Sequence, residues 1–187
     1  MRRPRAPDSL GGGSVNARVQ SPGVSLADLD REALVFARTH AHDPRRERLV
    51  AAFSRTGEHA LCWLGLGLAG AVLSRRDDRR RAWLRGVRVV AASYGANQAL
   101  KFAVRRRRPE LEGLPPLTPV ITRLSFPSAH ATTSFAAARA YGGLAPRWAL
   151  YAVAGAFAVS RPYLGVHYPS DVLAGALLGT TVAQVSR

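Results

Sequence analysis

The sequence predicts an all-α integral membrane bundle of about five transmembrane helices, preceded by N-terminal amphipathic helices. Three observations carry that prediction. First, hydrophobic residues make up 47% of the 187 residues, yet the mean hydropathy is only -0.05, because charge sits in blocks and apolar residues sit in long runs. Second, five such runs fall near 59–74, 83–104, 128–145, 148–165 and 171–185. A spanning helix needs roughly 20 residues, within a range of about 17–25. The second run reaches that length and the others stand at or near its lower limit. Third, the runs leave little polar surface between them, which is hard to fold in water.

Residues 1–24 carry Arg2, Arg3, Arg5, Gly11–Gly13 and scattered Ser and Pro, with no apolar period. They read as a disordered basic tail. No apolar segment follows the basic start, so the tail does not read as a secretory signal.

Residues 25–56 read as amphipathic surface helices. Ser25, with Asp28 three residues on, can form a capping box. The apolar groups Leu34–Phe36 and Leu49–Phe53 are too short to span a bilayer. A helical hairpin lying on the membrane fits them.

Residues 57–187 then form the transmembrane domain. Trp63, Trp83 and Trp148 lie near the starts of runs, where an interfacial aromatic belt would place them. Gly175 and Gly179 form G-x-x-x-G, which suits close helix packing. Arg75–Arg81 reads as a charged loop at the membrane interface.

The chemistry lies in three polar patches. The first closes the second run: Lys101, then Arg105–Arg108 and Pro109. Lys101 and Arg108 are seven apart, which brings both to within about 20° of one direction on a helix continuing to Pro109. Ser93, Asn97 and Lys101 extend that stripe, and a polar stripe on an apolar helix faces protein or water. Arg106 and Arg107 read as head-group anchors.

The second patch is Pro127-Ser128-Ala129-His130. Pro127 suits the first position of a helix. The N–H groups of Ser128 and Ala129 are then free for an anion. The third patch runs from Ser160-Arg161 to His167 and Asp171. Pro169 can open the last helix, placing the Asp171 carboxylate within reach of His167. A carboxylate on one imidazole nitrogen fixes the tautomer and frees the other as a nucleophile or base. In an alternating bundle, both inter-helix loops fall on one membrane face. Lys101, Arg108, Arg161 and two helix N-termini then define an oxyanion site beside two histidines.

The order K-x6-R-P, P-S-x-H, S-R-x5-H-x3-D over residues 101–171 is identified as the signature of the type 2 phosphatidic acid phosphatase superfamily. The resemblance implies a lipid phosphate phosphatase. It assigns phosphate binding to Lys101, Arg108, Ser128, Ala129 and Arg161. It makes His167 the nucleophile, Asp171 its orienting carboxylate and His130 the acid for the leaving alkoxide. It implies no cofactor and no metal, since fixed cations supply the charge stabilisation. Ala129 departs from the family's usual Gly, and the basic tail and hairpin stand where bacterial members commonly have one more helix. The Arg- and Ala-rich composition resembles actinobacterial members acting on a prenylphosphoryl phosphoribose. Undecaprenyl pyrophosphate, phosphatidylglycerophosphate and phosphatidate are the open alternatives.

The expected partners are a membrane lipid phosphate and the bilayer, in a multi-pass cell-membrane protein. Ten Arg in the first 56 residues favour a cytoplasmic N-terminus, and five spans then put the site on the cytoplasmic side; five Arg in 75–81 pull the other way.

Other classes fit less well. The net charge of +15 would suit nucleic acid. However, the Arg are divided among tail, loops and helix ends, so no nucleic-acid partner is expected. Vanadium haloperoxidases share such a pocket but are soluble and larger. A catalytically silent lipid-binding scaffold conflicts with the filled motif. The single cysteine, Cys62, excludes an intramolecular disulfide and a Cys-based metal cluster.

Overall fold

The computed structural model describes residues 25–186, and every regular element among them is a helix. The tail expected over residues 1–24 lies outside the described residues.

Helix α1 (Leu26–Thr39) starts at the predicted capping box. The Asp28 N–H donates to Ser25 Oγ at 3.2 Å, and the Ser25 N–H donates to Asp28 Oδ2 at 3.0 Å. Asp43 caps α2 (Pro44–Thr56), accepting from the N–H groups of Arg45 and Arg46 at 2.9 and 3.0 Å. Both helices exist where the sequence placed them, and they pack on the ends of later helices. Asp30, Leu34 and Arg38 form the buried stripe of α1, and Ser54 is buried in α2.

A short turn, Glu58–Ala60, leads into α3 (Leu61–Leu73). His59 and Ala60 both adopt left-handed backbone, with φ of 52° and 62°. Helix α4 (Asp77–Val104) begins inside the arginine block, so that block is only partly a loop. Asp77 and Asp78 occupy its first turn, where the positive end of the helix dipole favours them.

Helix α5 (Ala129–Tyr141) is the central element, with Ala131, Ala136, Ala137, Ala138 and Tyr141 fully buried. Around it stand α4, α6 (Arg147–Tyr163) and α7 (Pro169–Val185). The closest approach is to α7. A Cβ added at Gly179 would lie 2.0 Å from the Thr132 carbonyl oxygen, and one at Gly175 would lie 2.5 Å from that of Ser128. The G-x-x-x-G therefore serves the packing predicted for it.

One expectation is corrected here. Trp63 and Trp83 are core residues and not belt residues: Trp63 Nε1 donates to Ser134 Oγ at 2.8 Å, and Trp83 packs on Tyr141. Only Trp148 of the three is exposed. No described helix is long and apolar enough to cross a membrane. Helices α3 and α5 have 13 residues each, and α6 and α7 have 17. Helix α4 has 28 residues but opens on Asp77-Asp78-Arg79-Arg80-Arg81. The apolar runs had counted residues that the fold uses as turns, such as Gly142–Leu144 and Leu164–Gly165.

Candidate active site

The three patches meet at one end of the bundle. They surround a cavity of 130 Å³ lined by Lys101, Arg108, Ala129, His130, Arg161 and His167, with Glu58, His59, Tyr94 and Gln98 nearby. One water needs about 10–15 Å³ on this measure, so the cavity holds a group several times that size. Ser128 and Asp171 are fully buried residues outside the lining.

Lys101 arrives on the predicted stripe of α4. Ser93 and Asn97 below it are fully buried, and Asn97 Nδ2 donates to the Pro127 carbonyl and Thr132 Oγ1 at 3.2 and 2.9 Å. Lys101 Nζ donates to the carbonyls of Ser125 and Pro127 at 3.3 and 3.0 Å. These acceptors carry no formal charge, and no carboxylate pairs with the ammonium among the described residues.

Arg108 arrives differently from expectation. Helix α4 stops at Val104, with Arg105 left-handed at φ 56°, so helical phase does not align Arg108 with Lys101. The loop does it instead. The Arg108 N–H donates to the Arg123 carbonyl at 3.0 Å, and its Nε donates to the Thr122 carbonyl at 2.7 Å. Its Nη1 reaches the Val166 carbonyl at 2.6 Å and His167 Nε2 at 3.1 Å. Burial lowers the Arg108 guanidinium to about 10 against the opposing pull of Asp171, which leaves it charged at neutral pH.

That last contact determines the state of His167. A guanidinium can only donate, so Nε2 must carry the lone pair and Nδ1 the hydrogen. Nδ1 faces Asp171 Oδ2 at 3.5 Å. That is the expected pairing, at a separation too long for a hydrogen bond. Burial, and then the charges of Arg161, Arg108 and Lys101, hold His167 well below the usual histidine range, so the ring is neutral. Asp171 is in turn fixed at the start of α7, where Pro169 is the first residue as predicted. The Tyr168 N–H donates to Asp171 Oδ2 at 2.9 Å.

On the second patch the helix starts later than predicted. Ser128 is the N-cap of α5, and Pro127 precedes it. The Ser128 N–H is not free for an anion, since it donates to the Asp171 carbonyl at 2.9 Å. The Ser128 hydroxyl oxygen is buried without a hydrogen-bond partner among the described residues. His130 Nε2 lies 2.9 Å from the Ser54 carbonyl, and that acceptor requires the hydrogen on Nε2. Arg161 is buried on the last turn of α6, with Nη1 donating to Ser54 Oγ and Nε without a hydrogen-bond partner among the described residues.

Sequence reasoning missed three residues here. Ser54 touches both Arg161 and His130 from α2, and nothing in the local sequence signals it. Arg106 is not a head-group anchor: its guanidinium pairs with Asp30 at 2.8 Å and Asp171 at 2.9 Å. Arg107 remains exposed. Asp30 did leave a trace, because Asp30, Leu34 and Arg38 recur at helical spacing on one face of α1. No group of three or more His, Cys, Asp or Glu side chains suited to a metal ion occurs among the described residues.

Comparison with known proteins agrees with this geometry. The chain is 39% identical over 132 residues to a decaprenylphosphoryl-5-phosphoribose phosphatase of Mycobacterium tuberculosis, covering 71% of this chain and 73% of that protein. A protein of the same name from Mycolicibacterium smegmatis is 38% identical over 124 residues, covering 66% and 68%. Among solved structures, Aquifex aeolicus LpxE superposes with a TM-score of 0.73 at 23% identity, over 84% of this chain and 94% of its own. A transmembrane PAP2-type phosphatidylglycerolphosphate phosphatase from Bacillus subtilis gives 0.66 at 24% identity, over 86% and 83%. The PAP2 superfamily profile matches residues 83–187, more than half of the sequence and all three patches, and the chain belongs to that superfamily.

Proposed function

We propose that the chain hydrolyses the phosphate ester of a membrane-lipid phosphosugar, decaprenylphosphoryl-5-phosphoribose or a close analogue used in cell-wall precursor synthesis, through a phosphohistidine on His167. The observation that carries this reading is that His167, its Nε2 lone pair held by Arg108, lines a cavity walled by Lys101, Arg108 and Arg161. The substrate class follows from the names of the mycobacterial relatives.

In the proposed reaction the three cations and the Ala129 end of α5 hold the phosphate oxygens, with the Ser128 hydroxyl as a further donor. The phosphate draws Arg108 off Nε2, whose lone pair attacks phosphorus. The P–O bond breaks, and its electron pair stays on the leaving oxygen, which takes the Nδ1 proton of His130 in its imidazolium form while Nε2–H stays on the Ser54 carbonyl. Water then attacks the phosphohistidine as His130 takes its proton; the P–N bond breaks and phosphate leaves. Asp171 stabilises the positive charge that His167 carries meanwhile.

The apolar outward faces support a bundle embedded in a cell membrane. Val72, Leu73, Val159, Leu173 and Leu177 are all exposed on α3, α6 and α7. Residues 57–187 then form the membrane-embedded phosphatase unit, with α1 and α2 laid against its active-site end, facing the cytoplasm.

The test is phosphate release by detergent-purified protein in EDTA. The panel holds a prenyl phosphosugar, a prenyl pyrophosphate, phosphatidylglycerophosphate and phosphatidate. Turnover fastest on the phosphosugar is the expected result. Turnover confined to another lipid overturns the substrate, and loss of all turnover in EDTA overturns the metal-free chemistry. Ser54→Ala is expected to raise the inhibition constant of inorganic phosphate about tenfold. A hydrogen bond to a charged group contributes about 1.5–3 kcal/mol, and 1.4 kcal/mol is tenfold in affinity.

A further inference from the structure

We propose that Asp30 and Arg106 are positioning residues for the reaction: α1 holds Arg106, and Arg106 holds Asp171 against His167. The inference rests on the proposed role of His167 and Asp171.

The geometry is a continuous chain of polar contacts. Asp30 on α1 is buried, which is rare for a carboxylate unless it is paired. Its Oδ2 accepts from Arg106 Nη2 at 2.8 Å and from the Ser170 hydroxyl, and its Oδ1 accepts from the Ser170 N–H at 2.9 Å. Arg106 continues the chain through Nη1, which donates to Asp171 Oδ1 at 2.9 Å and to Ser170 Oγ at 2.7 Å. Its guanidinium lies 4.2 Å from the centre of the Tyr168 ring. The loop behind it is tied down as well, since the Ser125 N–H donates to the Arg106 carbonyl at 2.8 Å. Three elements distant in sequence thus converge on the first turn of α7.

The two oxygens of Asp171 are divided between two tasks. Oδ1 is taken by Arg106, and Oδ2 faces His167 and accepts from the Tyr168 N–H. Without Arg106, Oδ1 loses its ion pair and the Tyr168 N–H on Oδ2 is left to hold the carboxylate. The charge of Arg106 also offsets the cost of burying Asp171 beside Asp30. Burial pushes Asp30 upward, but the hydrogen bonds from Ser170 and Arg106 prevail and hold it below the usual carboxylate range. Asp30 lies outside the 83–187 region that the family profile matches, so this buttress comes from the N-terminal helices. A planar two-sided donor suits the bridge, whereas lysine reaches only as a point charge.

The experiment uses full-length protein in detergent, with Arg106→Gln, Arg106→Lys and Asp30→Asn beside wild type. Imidazole nitrogen NMR on histidine-labelled protein reads the His167 tautomer directly, with His167→Ala assigning its signals. Wild type is expected to show a single tautomer with hydrogen on Nδ1. Arg108 sets that tautomer, so Arg106→Gln and Asp30→Asn are expected to keep it and to move the Nδ1 resonance as the Asp171 carboxylate turns away, with Arg106→Lys moving it less. On whichever lipid phosphate wild type turns over, kcat is expected to fall about tenfold or more, up to the roughly 100-fold that misplacement of about an ångström can cost. KM should change less than twofold. An unchanged Nδ1 resonance with unchanged kcat in folded Arg106→Gln overturns the proposal. A raised KM at constant kcat also overturns it, because Arg106 would then bind substrate. If wild type turns over no lipid phosphate at all, the proposed function fails, and the Nδ1 measurement still decides the role of Arg106.

Discussion

His167→Ala is expected to reduce phosphate release by about 10⁴-fold or more while leaving the protein folded. Losing a covalent nucleophile removes a pathway, and single deletions within such catalytic units cost on this order or beyond. The ring is almost fully enclosed, and its two nitrogens face Arg108 and Asp171 without a ladder of bonds to the backbone. Its removal opens space but separates no helix. Radiolabelled substrate and a denaturing alkaline quench check the prediction twice. Wild type should trap label on protein in an acid-labile, base-stable bond, and the variant should trap none. Label retained in the variant would move the nucleophile elsewhere, with His130 the next residue to test.

Gly179→Ala is expected to destabilise the bundle by about 1–3 kcal/mol, the range for forcing a methyl group into a packed interior. The new Cβ would lie 2.0 Å from the Thr132 carbonyl oxygen and 3.1 Å from the Ala136 nitrogen. These are backbone atoms of α5 and cannot rotate aside, so α5 and α7 must separate. The separation reaches the site, because α5 carries His130 and α7 carries Asp171. A lowered thermal midpoint in detergent, with lower activity even where the protein is still folded, is the expected pair of results. Gly95→Ala is the control: its added Cβ meets nothing within 4 Å and should leave the midpoint within error.

Much of this molecule was legible before its structure. The helix count and order follow from apolar runs separated by turns. The α1 start follows from Ser25 and Asp28, and the α7 start from Pro169. The Ser93, Asn97 and Lys101 stripe was correct because it depends only on helical period. Gly175 and Gly179 marked the close helix pair because no other residue type tolerates that approach. These readings share one property: each rests on interactions within a few residues of chain.

The errors share the opposite property. Trp63 and Trp83 were placed at an interface by their position along the chain, but Ser134 and Tyr141 on α5 hold them in the core. Arg106 was grouped with its arginine neighbours, and only the folded loop separates it from Arg107. Arg108 reaches His167 through hydrogen bonds to Thr122 and Arg123, residues that no helical spacing connects to it. The sequence by itself determined the helices, their order and the three polar patches that the fold brings to one end of the bundle. Only the tertiary structure decided which arginines enter the site, and it brought Asp30 and Ser54 to them from the N-terminal helices. The physical reason is that burial and pairing of a charge depend on what other segments bring within a few ångströms, and no local pattern in the chain records that distance.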